Sequence, residues 1–142
     1  MIRSTAQMYL QSDVTSHRLI GFLLVAFMRL MSLVFLGFAI MVWLQLVGYW
    51  EGDQNRFDTM TTAMRTQTAI LAVLFPVASV GLWSTLSWGR VVWYTAAGVQ
   101  IIGSLFYRDM LGGSLLLVFF HTGCIIFYLI LRLSMRLITK EE

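Results

Sequence analysis

The feature that most constrains this chain is a run of about 32 residues, from 19 to 50, that is apolar except for Arg29, Ser32 and Gln45. As a continuous helix this run would be about 48 Å long, whereas the hydrocarbon core of a bilayer is only about 30 Å thick. We therefore predict a membrane crossing over residues 28–49. Residues 14–27 are interpreted as a helical lead-in that lies near the membrane interface or is strongly tilted.

Three further apolar segments follow and predict crossings over residues 66–86, 91–107 and 115–133. Only 12% of the residues are charged, compared with about a quarter in a soluble domain. The first segment lacks a small-residue cleavage site after a short apolar core, so it is read as an uncleaved signal anchor. The prediction is an all-α, polytopic integral membrane protein with four transmembrane helices in one membrane domain over residues 1–142.

The connections are assigned from their polar residues. Residues 50–65 form the main loop, which is a possible docking surface; its charged candidates are Glu51, Asp53, Arg56 and Asp58. Residues 87–90, Ser-Trp-Gly-Arg, are read as a tight turn in which Gly89 permits the chain reversal.

Four side chains are predicted to lie at the membrane interface. Trp88 and Trp93 are placed at headgroup depth, and Arg90 between them faces phosphates and water. Arg29 is read as a cation that reaches the same boundary, with contact to a partner protein or a lipid headgroup as its alternative.

The distribution of Lys and Arg predicts the orientation. With four crossings, one face collects seven basic residues (Arg3, Arg18, Arg29, Arg90, Arg132, Arg136 and Lys140) and the other collects three (Arg56, Arg65 and Arg108). Because cytoplasmic loops carry the excess of basic residues, both termini are predicted to be cytoplasmic. The acidic loop 50–65 then lies outside.

Polar side chains within the crossings are the natural candidates for function, because an unpaired polar group in hydrocarbon is costly. Gln100 and His121 both approach the middle of the bilayer, and a hydrogen bond between them is predicted, with Cys124 one turn from His121. A structural contact that fixes helix pairing is favoured. The alternatives are a substrate or proton site and, less well supported, a metal or haem ligand.

Helix packing is predicted from small residues and the single proline. Pro76 interrupts the second crossing and removes one backbone hydrogen bond, which Ser79 or a neighbouring helix can replace. The third crossing is the least bulky and is predicted to pack centrally. Its small residues are Ala96, Ala97, Gly98, Gly103 and Ser104.

Several classes of function are disfavoured. The basic residues are spread along the chain, whereas nucleic-acid binding requires a cluster. His121 and Cys124 supply fewer ligands than a zinc site needs, so no metal and no cofactor are predicted. No Asp or Glu falls within a predicted crossing, which disfavours proton-coupled transport. Neither GxSxG nor HExxH is present.

The segment LFPVASVGLWSTLSWGRVVWYTAAGVQ, residues 74–100, resembles the core of a family of small, uncharacterised, four-span inner-membrane proteins of alphaproteobacteria. In that family a proline-containing second helix meets the third through a Trp-Gly turn. The resemblance implies a bacterial cytoplasmic membrane and no established enzymatic activity. It transfers no catalytic residue to this chain.

We therefore expect a non-catalytic accessory subunit or scaffold of a cell-envelope complex, with the lipid bilayer and a membrane protein, or a second copy of the chain, as partners. The second hypothesis is a small oligomeric transporter or channel that uses Gln100 and His121. The third is a membrane enzyme that uses His121.

Overall fold

The computed structural model describes residues 2–49, 60–106 and 115–140, with side chains over residues 18–49, 60–105 and 115–137. Every regular element in these ranges is an α-helix, which confirms the all-α prediction. The four helices are α1 (Ile2–Leu46), α2 (Thr62–Trp83), α3 (Ser87–Phe106) and α4 (Leu115–Lys140).

The first helix is longer than its predicted crossing. Residues 14–27 are part of one continuous helix, not an element of their own, and the apolar part of that helix is Arg18–Leu46. The helix ends where Gly48 adopts φ +71°, a left-handed conformation in which glycine has no steric penalty. There the amide of Tyr49 donates to the carbonyl of Leu44 at 3.0 Å.

Three helical segments of the described chain are long and apolar enough to cross a membrane: Arg18–Leu46, Thr62–Trp83 and Leu115–Leu137. The fold is thus that of a helical membrane protein. Helix α3 is not among the three, since its 20 residues include Arg90 and Gln100. A crossing over residues 91–107 therefore stays a prediction.

Helix α2 begins earlier than predicted, so the preceding loop ends at residue 61 instead of 65. Thr61 is the N-cap, and its hydroxyl oxygen accepts a hydrogen bond from the amide of Met64 at 3.5 Å. Met60 and Met64 are buried beside this cap. The predicted docking residues Glu51, Asp53, Arg56 and Asp58 lie outside the described residues.

The turn between α2 and α3 does not lie at residues 87–90, as predicted, but at residues 84–86. Its hydrogen bonds, Thr85 N–H to Leu82 O and Leu86 N–H to Gly81 O, form a Schellman motif. The left-handed position of this motif, usually glycine, is Thr85 with φ 54°. Because a β-branched residue is unusual there, the sequence pattern pointed to the nearby Gly89, which instead lies in the first turn of α3.

The four helices run alternately up and down. Helix α2 packs against both α1 and α3, and α4 packs against the same two helices. Two aromatic clusters form the core. One surrounds Trp93 and contains Phe27, Tyr94 and Tyr128; the other surrounds Phe38 and contains Phe35, Phe75, Phe120 and His121.

Candidate functional site

A pair of buried serines joins α1 to α2. The Ser32 hydroxyl donates to the carbonyl of Ser79 at 2.7 Å, and the Ser79 hydroxyl donates to the carbonyl of Ser32 at 2.9 Å. The two hydroxyl oxygens are 3.2 Å apart. Small hydroxyl side chains allow two helix backbones to approach closely and to exchange hydrogen bonds in a medium without water. This pair fixes the register of the first two helices.

The backbone carbonyl that Pro76 leaves without its helical donor is satisfied by a tryptophan. Proline has no N–H, so the carbonyl of residue 72, four positions earlier, loses its helical partner. The indole N–H of Trp43 on α1 donates to the Ala72 carbonyl at 3.1 Å. Trp43 is still 53% exposed. The same side chain therefore faces the apolar surroundings and supplies the hydrogen bond that α2 lacks at Ala72.

A double-mutant cycle tests this compensation. Trp43→Phe is expected to lower the free energy of unfolding by about 1 kcal/mol, since it removes one hydrogen bond to a carbonyl in hydrocarbon. In a Pro76→Ala background the restored backbone N–H can serve the Ala72 carbonyl, so the same substitution is expected to cost much less. The measurement is unfolding of the purified protein in detergent. Equal costs in both backgrounds would show that Trp43 acts only through packing.

His121 is a member of the second aromatic cluster. It is fully buried, and its ring is stacked on Phe38 with centroids 5.8 Å apart and an angle of 17° between the planes. Its Nδ1 is 2.9 Å from the carbonyl of Leu117, one turn earlier on the same helix. Its Nε2 is buried and makes no hydrogen bond. Cys124 is a free, partly buried cysteine that packs against the same core.

The predicted hydrogen bond between Gln100 and His121 is not formed. The Oε1 atom of Gln100 is buried without a hydrogen-bond partner, as is Nε2 of His121. Residue depth follows from position along a helix, whereas pairing requires two helix faces to meet.

Gln100 instead lines a cavity of about 400 Å³ between the helices. A second glutamine, Gln45, lies on the same wall, and the other lining residues that the structure describes are apolar: Phe38, Met41, Val42, Phe75 and Leu117. Phe38, which carries the stacked His121 ring on one side, thus connects the aromatic cluster to the cavity. This cavity is the candidate functional site.

A third glutamine was not identified from the sequence because Gln67 lies at the edge of the predicted second crossing. Its Nε2 donates to the carbonyl of Val99 on α3 at 3.4 Å, and its Oε1 is buried without a partner. The amide lies directly over Gly103, where a Cβ atom would overlap it. Gly103 therefore serves to seat Gln67 between α2 and α3.

The other small residues of α3 have unequal roles. Ala96 and Ala97 are fully buried, and Ala96 is part of the main core cluster. Gly98 has no other group within 4 Å of a Cβ built on it, so its predicted role in close packing is wrong. The backbones of α2 and α3 approach each other closely at Gly81 and Gly89, near their connecting turn.

Of the predicted interfacial anchors, Trp93 is in the wrong place. It is fully buried at the centre of the first aromatic cluster, on the side of α3 that packs against Phe27 and Tyr128. Trp88 is 43% exposed, and Arg90 is half-buried. Arg29 is exposed and lies 5.5 Å from the ring centroid of Trp83, a cation–π contact between α1 and the end of α2.

Among the described residues, no group of three His, Cys, Asp or Glu side chains is placed to hold a metal ion.

Comparison with known proteins identifies the family of this chain. A model of a family of unknown function, DUF6163, matches residues 22–139. The chain belongs to this family. The match covers all four crossings predicted from the sequence, including the lining of the cavity. No curated protein and no solved structure matches the chain.

Proposed function

We propose that this chain is a non-catalytic accessory subunit or scaffold of a cell-envelope protein complex and that α4 is its docking helix. The observation that carries the proposal is the position of α4 at the edge of the described fold. Only 11% of the apolar stretch of α4 is buried, compared with 44% for that of α2. Its exposed apolar side chains include Leu116, Phe119, Ile126, Phe127, Ile130 and Leu133.

A gap in this bulky surface favours a protein partner over lipid alone. Thr122 and Gly123 are exposed on α4, and no other group lies within 4 Å of a Cβ built on Gly123. Helices associate in membranes by close packing at small residues, not by the hydrophobic effect. A partner helix can approach α4 closely at this point.

The docking role is tested by enlarging the gap residue. Gly123→Leu is expected to reduce recovery of a stoichiometric partner by at least tenfold in a mild-detergent pull-down, because the added side chain fills the contact surface. Gly37→Leu is the matched control: Gly37 is also exposed on a helix and has open space around it, but it lies on α1. The control is expected to retain the partner.

Two results contradict this role. Equal recovery of the partner with both variants would exclude α4 as the docking helix. Recovery of the chain only as a homo-oligomer would favour the second candidate function, a small oligomeric transporter or channel. That candidate is supported by two polar side chains, Gln45 and Gln100, on the wall of the cavity.

We propose that the chain lies in a bacterial cytoplasmic membrane as a multi-pass protein, with four crossings and both termini in the cytoplasm. The resemblance of residues 74–100 supports the membrane, and the seven-to-three distribution of basic residues supports the orientation. Alkaline phosphatase fused after residue 55 is expected to be active, and fused after residue 86 inactive. The reverse pattern would overturn the orientation.

A further inference from the structure

We propose that a groove near the C-terminal end of α4 binds the phosphate group of an anionic phospholipid. The groove has a volume of about 260 Å³, and the described residues that line it are Leu129, Arg132, Leu133 and Arg136. Both arginine side chains are exposed, so a ligand can reach them. The proposal goes beyond the docking role, since a scaffold requires no particular lipid.

The groove lies where an apolar helix segment ends. The apolar segment of α4 is Leu115–Leu137, so the two arginines fall in its last two turns. A Cβ atom built on Gly21 would lie 3.9 Å from the terminal methyl group of Met135. The end of this segment is therefore level with the beginning of the apolar segment of α1, Arg18–Leu46. Basic residues at the ends of membrane-crossing helices are placed to meet lipid headgroups.

The charge of the groove selects an anion. Arg132 and Arg136 are four residues apart on α4, which makes them neighbours of like charge on one face of the helix. Arg90 of α3 adds a third positive charge, because Arg90 and Arg132 both interact electrostatically with the hydroxyl group of Tyr94. None of the side chains that the structure describes is an Asp or Glu that could neutralise them. A phosphate accepts paired hydrogen bonds from guanidinium groups and relieves their repulsion.

The leucines of the groove select a lipid over a soluble phosphate. Leu129 and Leu133 are exposed, and each precedes an arginine of the groove by three residues. The groove thus offers an apolar strip on the side of the arginines that leads towards the middle of the apolar segment. An acyl chain can pack on this strip while the phosphate contacts the arginines, whereas a soluble phosphate would leave the strip unused.

The lipid groove and the proposed docking surface lie on different sides of α4. Arg132 is nine residues after Gly123, or two and a half helical turns, so the two residues project in opposite directions. A lipid and a partner helix can therefore bind α4 at the same time. The two proposals can be tested separately.

The probe is phosphatidylglycerol with a fluorophore on one acyl chain, and its anisotropy is measured on the full chain at a fixed concentration of dodecyl maltoside. Unlabelled phosphatidylglycerol is expected to displace it at a concentration about tenfold lower than phosphatidylcholine with the same acyl chains, because the choline group carries its own positive charge. Glycerol 3-phosphate, which lacks acyl chains, is expected to displace none of it.

Three variants locate the site. Arg132→Gln and Arg136→Gln are each expected to weaken phosphatidylglycerol binding about fivefold, and the double variant about 25-fold. Arg29→Gln is the matched control. Arg29 is also an exposed arginine, but it lies on α1 beside Trp83, and the same loss of charge there is expected to change the affinity by less than about twofold. Circular dichroism and gel filtration establish that each variant is folded.

Equal displacement by phosphatidylcholine and phosphatidylglycerol would overturn the proposal. So would equal losses in Arg132→Gln and Arg29→Gln, which would assign the attraction to the overall charge of the chain. Displacement by glycerol 3-phosphate at the concentration at which phosphatidylglycerol acts would make the ligand a soluble phosphate and would also overturn it.

The chain's own carboxylates are tested as the alternative occupant. Glu141 and Glu142 follow α4 in the sequence. Replacing both with glutamine is expected to leave phosphatidylglycerol affinity within about twofold of the parent. A gain of more than about fivefold would make these carboxylates the occupant of the groove and overturn the proposal. None of these results would affect the docking proposal, which is read from partner recovery with Gly123→Leu.

Discussion

Replacing Gly89 with valine is expected to prevent the normal packing of α2 against α3 and to remove most of the protein from the membrane. A Cβ atom at Gly89 would overlap the backbone carbonyl group of Gly81, and a Cβ at Gly81 would lie 2.5 Å from Cα of Gly89. Overpacking costs about 1–3 kcal/mol when side chains can move aside. Here both contacting groups are backbone, so we expect a cost above that range.

The control is Gly98→Val on the same helix, where the added side chain meets open space. Replacing glycine by valine changes helix propensity by less than about 1 kcal/mol at either position, so a larger loss at Gly89 reports the contact with Gly81. Abundance in the membrane fraction and the unfolding temperature in detergent are the measurements. Similar losses for the two variants would show that α2 and α3 do not approach closely at their connecting turn.

Trp93→Ala is expected to destabilise the fold far more than Trp88→Ala. Trp93 is fully buried, with its ring 5.1 Å from Tyr94, 5.6 Å from Tyr128 and 6.2 Å from Phe27 between centroids. Truncating a buried tryptophan costs about 3–5 kcal/mol, since the cavity left behind does not collapse fully. In a bilayer this cost arises mainly from lost van der Waals contacts.

Trp88 is 43% exposed, so its truncation is expected to cost about 1 kcal/mol or less. The free energies of unfolding of the two variants are compared with that of the parent in the same detergent. If Trp93 instead faced the lipid headgroups, as the sequence pattern predicted, the two variants would lose similar amounts. The comparison therefore separates a core tryptophan from an interfacial one.

Which residues of α3 are buried was predictable only in part. A WGRVVW sequence is typical of a membrane interface, because aromatic and basic residues concentrate there. The structure separates the two tryptophans because they are five residues apart, about 500° of rotation, and so project from different sides of α3. Nothing in the local sequence says which of those sides α1 and α4 cover.

The polar residues show the same limit. Gln100 and His121 were selected because their distance along each helix predicts a position near the middle of the bilayer. Their partners did not follow, since Ser32 with Ser79 and Trp43 with Ala72 join residues 47 and 29 positions apart. That Pro76 leaves the Ala72 carbonyl without its helical donor was predictable from covalent structure alone. That the indole N–H of Trp43 replaces this donor was not.

The sequence by itself determined that this chain is helical and belongs in a membrane. Long apolar segments almost without charge cannot leave backbone N–H and C=O groups unsatisfied in lipid, and a helix satisfies them within each segment. Only the tertiary structure decided that Trp93 is a core residue, that Gly89 meets Gly81, and that Gln100 faces a cavity. These depend on how each helix is rotated about its axis, which is set by the packing of all four helices together.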